Sequence, residues 1–258
     1  MRYQYLSFTV SEHIAHVRLN RPPVNALNRE LVAELTALAR DFVHSTDVWV
    51  VELSAEGKTF CAGADLKERA TIPEADVATV VRNIQGMAVA WMQVPQPVVV
   101  GIQGPALGGG LELALAGDLL VACEEAVLGF PEVGLGIIPA AGGTQRLAQR
   151  ASMGIAKKWV LTARQFSAQE ALADGVVDAV VPAAAYGKEL SVYVQRLAAN
   201  APLALRQAKA ALNASYDEWL RRGLQQELDL YAPLIATRDR REALEAFAQK
   251  RKPVWRGD

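Results

Sequence analysis

The chain has 258 residues, of which 51% are hydrophobic and 21% charged, enough to bury a large core and too apolar for a disordered chain. Its 27 basic and 28 acidic residues leave a net charge of −1, which argues against nucleic acid or an anionic membrane as the main partner. Two cysteines, Cys61 and Cys123, cannot build a disulfide framework, and His13, His16 and His44 show no metal-ligand spacing, so no metal is expected.

Met1-Arg-Tyr-Gln-Tyr carries no apolar stretch of the kind a secretory leader needs, and a cytoplasmic protein is expected. Asn213-Ala-Ser215 fits the glycosylation pattern but carries no weight without a secretory route. Tyr3–Val10 and Ile14–Leu19 read as a hairpin about Ser11-Glu12. Leu31, Leu35, Leu38 and Phe42 recur at helical spacing behind Asn28 as N-cap. Val48–Leu53 reads as a buried strand, Val77–Met92 as a helix, and Val98–Ile102, opened by Pro97, as a second buried strand. Leu111–Ala116 follows as a short helix and Leu119–Ala122 as a third core strand. Continuous β-branched runs separated by helices predict a parallel sheet covered on both faces. The longest apolar stretch, Ala106 to Ala122, holds Glu112, Asp118 and four glycines and falls short of a membrane span.

Ser167-Ala-Gln-Glu170 is a capping box, Gly175 closes its helix, and Val176–Val181 reads as the next strand. Beyond Ala183 the pattern is helical, broken at Pro202 and Pro233, with Asn200 as a cap. The predicted division is an α/β core over residues 1–199 and a helical region over 200–258, too small to fold alone and expected to pack on the core or on a neighbouring subunit. Its last stretch, Arg238 to Asp258, holds seven basic and four acidic residues. Such a stretch reads as a solvated helix face or as a phosphate contact.

Glu56-Gly-Lys-Thr59 resembles the end of a phosphate-binding loop, but Glu52 stands where that motif needs its first glycine. Three glycine-rich turns remain: Phe60–Asp65, Gly104–Glu112 and Ile137–Arg146. The first two follow strands, and sites in open parallel sheets form beyond the strands' carboxyl ends, so those two are candidates for one shared site. Gly108-Gly-Gly110 opens a helix, where backbone N–H groups lack intrahelical partners and can face a ligand closely. The alternative is tight helix–sheet packing. Glu112 and Glu132 each sit in an apolar run, where burial raises a carboxyl pKa toward the range useful for acid–base work. A buried salt bridge or a helix cap would explain either one equally well.

The runs Thr59-Phe-Cys-Ala-Gly-Ala-Asp-Leu-Lys-Glu68, Ala106-Leu-Gly-Gly-Gly-Leu-Glu-Leu-Ala114 and Pro131-Glu-Val-Gly-Leu-Gly-Ile-Ile-Pro139, with Gly142-Gly-Thr-Gln-Arg-Leu147, resemble the crotonase superfamily. Asn20–Leu27 and Phe247–Pro253 match it too, so the resemblance spans the chain in order. Enoyl-CoA hydratases are the most similar group. Gly63–Arg69 and Asp239–Leu244 further resemble methylglutaconyl-CoA hydratases of leucine breakdown.

The resemblance implies an α/β fold, a crotonase-like β/α spiral core with a C-terminal helical trimerisation region, in homotrimers or hexamers. It implies an acyl-CoA thioester as substrate in lipid metabolism, with no cofactor beyond the CoA the substrate carries. It places an oxyanion hole at the N–H groups of Ala64 and Gly109, and the catalytic pair at Glu112 and Glu132, 20 positions apart. It places substrate and CoA contacts at Ala26, Ala62, Asp65, Leu66, Phe247 and Lys250. Related chemistries, isomerisation or thioester hydrolysis among them, usually keep the hole but not both glutamates. A non-catalytic acyl-CoA or RNA binder is the other alternative; RNA-binding relatives have a lysine-rich first helix, and Asn28–His44 contains no lysine. Ala140 stands where relatives commonly have glycine, a change expected to move a nearby N–H or alter specificity. Val80, Met87, Trp91 and Trp159 are candidate walls of the acyl pocket, or plain core.

Overall fold

The computed structural model describes residues 3–214 and 216–258; Met1 and Arg2 of the leader reading, and Ser215 of the glycosylation pattern, lie outside them. The chain opens with the hairpin β1 (Leu6–Ser11) and β2 (Ile14–Leu19), then α1 (Arg29–His44) and β3 (Val50–Ala55). Next come α2 (Leu66–Arg69), α3 (Glu74–Met92), β4 (Val98–Ile102), β5 (Ala106–Leu107), α4 (Gly109–Ala114), β6 (Leu119–Cys123) and β7 (Val127–Gly129). The second half runs α5 (Gly143–Arg150), α6 (Met153–Leu161), β8 (Gln165–Ser167), α7 (Ala168–Ala173), β9 (Ala179–Val181) and α8 (Tyr186–Ala198). It ends in α9 (Pro202–Ala214), α10 (Asp217–Tyr231) and α11 (Arg238–Ala248).

Six strands form the main sheet in the order β1-β2-β3-β4-β6-β9, parallel from β2 onward. A small sheet, β5-β7-β8, stands apart from it. From β4 on, the chain alternates between the two sheets and advances one strand along the main sheet at each return. That winding is the spiral. Central strands are buried on both faces, as their unbroken Val/Ile/Leu runs require. The main core packs α1, α3 and α4 on one face of the sheet, while α8 covers the other through Leu190 and Val194.

The local signals act as their chemistry dictates. Asn28 Oδ1 accepts from Leu31 N at 3.0 Å, and Ser167 and Glu170 form a reciprocal capping box. Strand β3 starts two residues later than the apolar run suggests, because the Val48 carbonyl accepts from Arg206 rather than from a neighbouring strand. Strand β9 is shorter than Val176–Val181, because Val176 N and Val177 N both turn back to the Ala171 carbonyl to close α7. Asn200 caps the preceding helix instead of the following one, donating to the carbonyls of Arg196 and Leu197. The strands β5, β7 and β8, of two or three residues each, give no periodic signal to read.

The helical region packs on the core of its own chain. From α9, Arg206 donates to the carbonyls of Ser45 and Val48, and buried Lys209 Nζ reaches Asp118 Oδ2 at 2.6 Å and the Gln96 carbonyl at 3.0 Å. Helix α10 then lies against α3 and α5. No helix among the described residues is long and apolar enough to cross a membrane. Removing Lys209 leaves the Asp118 carboxylate with the Val98 amide but without its cation, and takes a donor from the Gln96 carbonyl. Lys209→Ala should cost about 2 kcal/mol in urea unfolding with an unchanged denaturant slope; a loss below about 0.5 kcal/mol would show that the tail docks without this bond.

Candidate active site

Backbone hydrogen bonds stitch the first two glycine-rich turns together. Leu107 N donates to the Cys61 carbonyl at 3.0 Å and Cys61 N to the Pro105 carbonyl at 3.1 Å. The loop after β2 joins them: Leu27 N donates to the Gly63 carbonyl at 2.8 Å, and Asp65 N to the Leu27 carbonyl at 3.0 Å. Asn25 Nδ2 fixes the same loop to the carbonyls of Glu56 and Thr59. The phosphate-loop lookalike is therefore a turn whose carbonyls are engaged. Ala64 N and Gly109 N donate to no acceptor among the described residues. They are close together, since a Cβ built on Gly109 would stand 3.7 Å from Ala64 N. Two adjacent, unpaired amides suit an oxygen that gains negative charge.

The glycine triplet divides its labour. Gly108 adopts φ +50, and a Cβ there would stand 2.5 Å from Glu132 Oε1. A Cβ on Gly110 would instead collide with the Cys61 carbonyl, so this glycine serves helix packing. Cys61 is no nucleophile at neutral pH, because burial pushes its thiol up to about 12.

Both glutamates face this loop cluster, and the third turn joins it. Glu112, 3% exposed on α4, accepts at Oε1 from Ala141 N at 2.7 Å and Gly143 N at 2.8 Å. Burial raises its pKa, while these two amides and the Arg146 charge restrain the rise. Glu132, 7% exposed at the start of a short 3-10 turn, has a sealed Oε2 with no hydrogen-bond partner. Burial pushes its pKa well up, the Glu112 charge adds to this, and Glu227 adds further. The two environments differ: both carboxyls are raised by burial, and Glu112, held by two amides, is restrained more than Glu132.

A cleft of about 830 Å³ contains both. Ala26, Ala62, Ala64, Asp65, Leu66, Gly109 and Phe247 line it, and Lys250 does not. Asp65 is fully engaged: its carboxylate caps α2 through the amides of Lys67 and Glu68 and pairs with Arg21 at 2.7 Å. Burial alone would raise this carboxyl, but the Arg21 bond and those amides hold it below its usual range. Asp65 thus braces the turn that presents Ala64 N. Of the expected acyl walls, Met87, Trp91 and Trp159 are sealed in the main core, and Val80 packs against it. None of the four lines the cleft; Val81 and Ile84 of the same helix do. Ala140 needs no left-handed backbone, its carbonyl accepts from Gln85 Nε2 at 3.2 Å, and its side chain narrows the cleft wall. The Ala141 and Gly143 amides that follow it donate to Glu112.

Three further groups were not expected at the site: Glu227 has no signal in the sequence pattern, and Arg146 and Arg69 enter the sequence reading only as members of longer motifs. Glu227 of α10, 2% exposed, accepts from Gly142 N at 2.7 Å and from Thr144 Oγ1 at 2.5 Å, which anchors the loop that holds Glu112. Arg146, at the far side of that loop, is buried beside Glu112 and Glu227. Arg69 lines the cleft with Tyr231 of α10.

Burial, with the Glu112 charge, lifts the Glu227 carboxyl to about 8. A carboxyl raised in the fold keeps its proton after the unfolded chain has lost it near 4.5, so the native state binds more protons and stability falls as pH rises from 4.5 toward 8. Glu227→Gln should flatten that decline in unfolding midpoints between pH 5 and pH 8. An identical slope in the variant would refute the assignment.

Residues 9–258 match the family model described as enoyl-CoA hydratase/isomerase. The Bacillus subtilis protein YngF, named for that family, is 45% identical over 253 residues, covering 97% of each chain. The 2,3-dehydroadipyl-CoA hydratase of Escherichia coli is 39% identical over 252 residues, covering 95% of this chain and 96% of its own. The crystal structure of an enoyl-CoA hydratase from Bacillus anthracis superposes with a TM-score of 0.81 at 41% identity, covering 99% of this chain and 100% of that one. The chain belongs to the enoyl-CoA hydratase/isomerase family, within the crotonase superfamily.

Proposed function

We propose that this protein is an enoyl-CoA hydratase, a hydro-lyase that adds water across the 2,3 double bond of a 2-enoyl-CoA thioester. The observation that carries the reading is the pair of buried glutamates, differently held, in one cleft beside two unpaired amides. The name of the Escherichia coli relative, a hydratase, supports hydration over isomerisation. An isomerase needs only one carboxylate to shuttle a proton, so a conserved use for the second would be lacking. Thioester hydrolysis would direct water to the carbonyl carbon, away from a double bond.

The thioester oxygen accepts from Ala64 N and Gly109 N. Glu112, with Oε1 fixed by two amides, presents its other oxygen to a water and takes its proton as the water oxygen bonds to the β-carbon. The π electrons move toward the thioester oxygen, and the two amides stabilise that charge more in the transition state than in the substrate. Glu132 delivers its proton to the α-carbon. A proton returned through the coupled carboxyls resets the pair. The only coenzyme in this scheme is the CoA of the substrate, whose head group would extend past Arg21 and Lys67 toward Phe247 at the mouth. Lys250 would meet that head group only from beyond the cleft lining. A homotrimer or hexamer is the proposed assembly, supported by the large apolar side chains that α9 and α10 expose, Leu203, Trp219 and Leu230.

Crotonyl-CoA should lose its conjugated-thioester absorbance on addition of the protein. Glu112→Gln and Glu132→Gln should each reduce kcat by about 10²–10⁴-fold while the variants still bind butyryl-CoA. Full activity in either variant would end the two-carboxylate scheme.

A further inference from the structure

Resting on the hydration reading, the third carboxyl of the buried cluster has a part in the same chemistry. Glu227 comes from α10, yet it shares one turn with Glu112. The turn through left-handed Gly142 (φ +100) sends its amides alternately to the two carboxyls. Ala141 N and Gly143 N donate to Glu112 Oε1 at 2.7 and 2.8 Å. Gly142 N and Thr144 N donate to Glu227 at 2.7 and 3.2 Å, and the Thr144 hydroxyl adds a third bond at 2.5 Å. Rigid peptide planes join these amides, so a shift of the turn toward one carboxyl lengthens the bonds to the other. The aim of Glu112 is thus set from both sides of the turn. Glu227 does not line the cleft, so any part it plays runs through its neighbours.

Arg146, in the first turn of α5, completes the arrangement. Its Nη1 donates to the Ala141 carbonyl, while its sealed Nε and Nη2 meet no acceptor among the described residues. Its charge therefore acts on Glu112 and Glu227 together, through space. The titratable groups that feel Glu227 are Glu112 of α4, Glu132 of the 3-10 turn, Arg146 of α5 and Tyr216 just ahead of α10. Helix α3 meets α10 through Gln85, which is neutral and donates to the Leu224 carbonyl. Negative charge on Glu227 favours the protonated form of Glu132. Because the Glu227 carboxyl is lifted to about 8, that support arrives on the alkaline side.

We infer that Glu227 is a positioning residue for the hydration: it fixes from behind the turn that aims Glu112, and its charge keeps the proton on Glu132 as the solution turns alkaline.

The pH profile of crotonyl-CoA hydration tests this. Glu227→Gln removes the charge and keeps the shape, so the alkaline limb of kcat/KM should move to lower pH by about one unit. Glu227→Leu takes the acceptor from the turn and should lower kcat about 10²-fold with little change in KM, the cost of a misplaced catalytic group. Thr144→Val, a milder change, should lower kcat in the same direction. Most of the Glu227→Leu loss should vanish beside Glu112→Gln, where no base is left to aim. An unmoved alkaline limb in Glu227→Gln would overturn the inference, as would a Glu227→Leu loss that persists in full beside Glu112→Gln, the mark of a merely structural role. Infrared titration of the free protein reads the same coupling without turnover, in the carboxylic-acid carbonyl band that Glu132→Gln removes. Its midpoint should fall in Glu227→Gln. That fall, without hydration of any enoyl ester by the wild type, would leave the coupling standing and the hydratase reading refuted. Hydration with neither the limb nor the midpoint moved would do the reverse.

Discussion

A carboxylate sealed inside an apolar helix has to be held by donors, and the placement of Glu112 organises much of this molecule. Its burial would be prohibitive without the two amides of the Ala141–Gly143 turn and the charge of Arg146 behind them. That turn is held in place by Glu227, which belongs to α10. Helix α10 in turn is reached through α9, docked on the core by Arg206 and Lys209. The helical region that looks like an appendage in the sequence is thus continuous, bond by bond, with the chemistry. It supplies a loop anchor, Glu227, and a residue of the cleft lining, Tyr231.

Electrostatics then sort the roles. Three carboxyls in one low-dielectric pocket cannot all ionise. Burial raises all three, and hydrogen-bond donors on Glu112 and on Glu227 restrain those two. Glu132 is raised by burial and by the charge on Glu112, with its own backbone amide and the Arg69 charge opposing. In the proposed scheme, this difference in surroundings is what lets two identical side chains serve as proton donor and proton acceptor.

Much of the core and part of the site are legible in the residues. Strand periods, the Asn28 cap and the Ser167–Glu170 capping box act over a few positions, and the structure realises each of them. Glu112 and Glu132 stand out because a charged residue in an apolar run demands an explanation. Glu227 lies in Leu224-Gln-Gln-Glu-Leu-Asp-Leu230, a helix rich in polar residues, where one more acid attracts no notice. Its burial is produced by docking between residues 83 to 85 positions apart. Arg69 stands in a quoted motif, yet its burial is not legible there: α2 is four residues long, and its partner Tyr231 lies 162 positions away. The wall residues fail in the opposite sense. Met87 and Trp91 are large and helical in period, and they lie in the main core with Ile84 of the same face, but only Ile84 and Val81, nearer the start of α3, also reach the cleft. Helical phase decides which residues share a face; only tertiary packing decides what that face meets.

The central claim is that oxygen and hydrogen from water end on adjacent carbons of an intact thioester. Crotonyl-CoA turned over in ¹⁸O-labelled water and, separately, in D₂O tests it by mass spectrometry and proton NMR. The account predicts 3-hydroxybutyryl-CoA with one ¹⁸O at the β-carbon and one deuterium at the α-carbon, the CoA ester uncleaved. Label in a free carboxylic acid, or deuterium incorporated without oxygen, would contradict it.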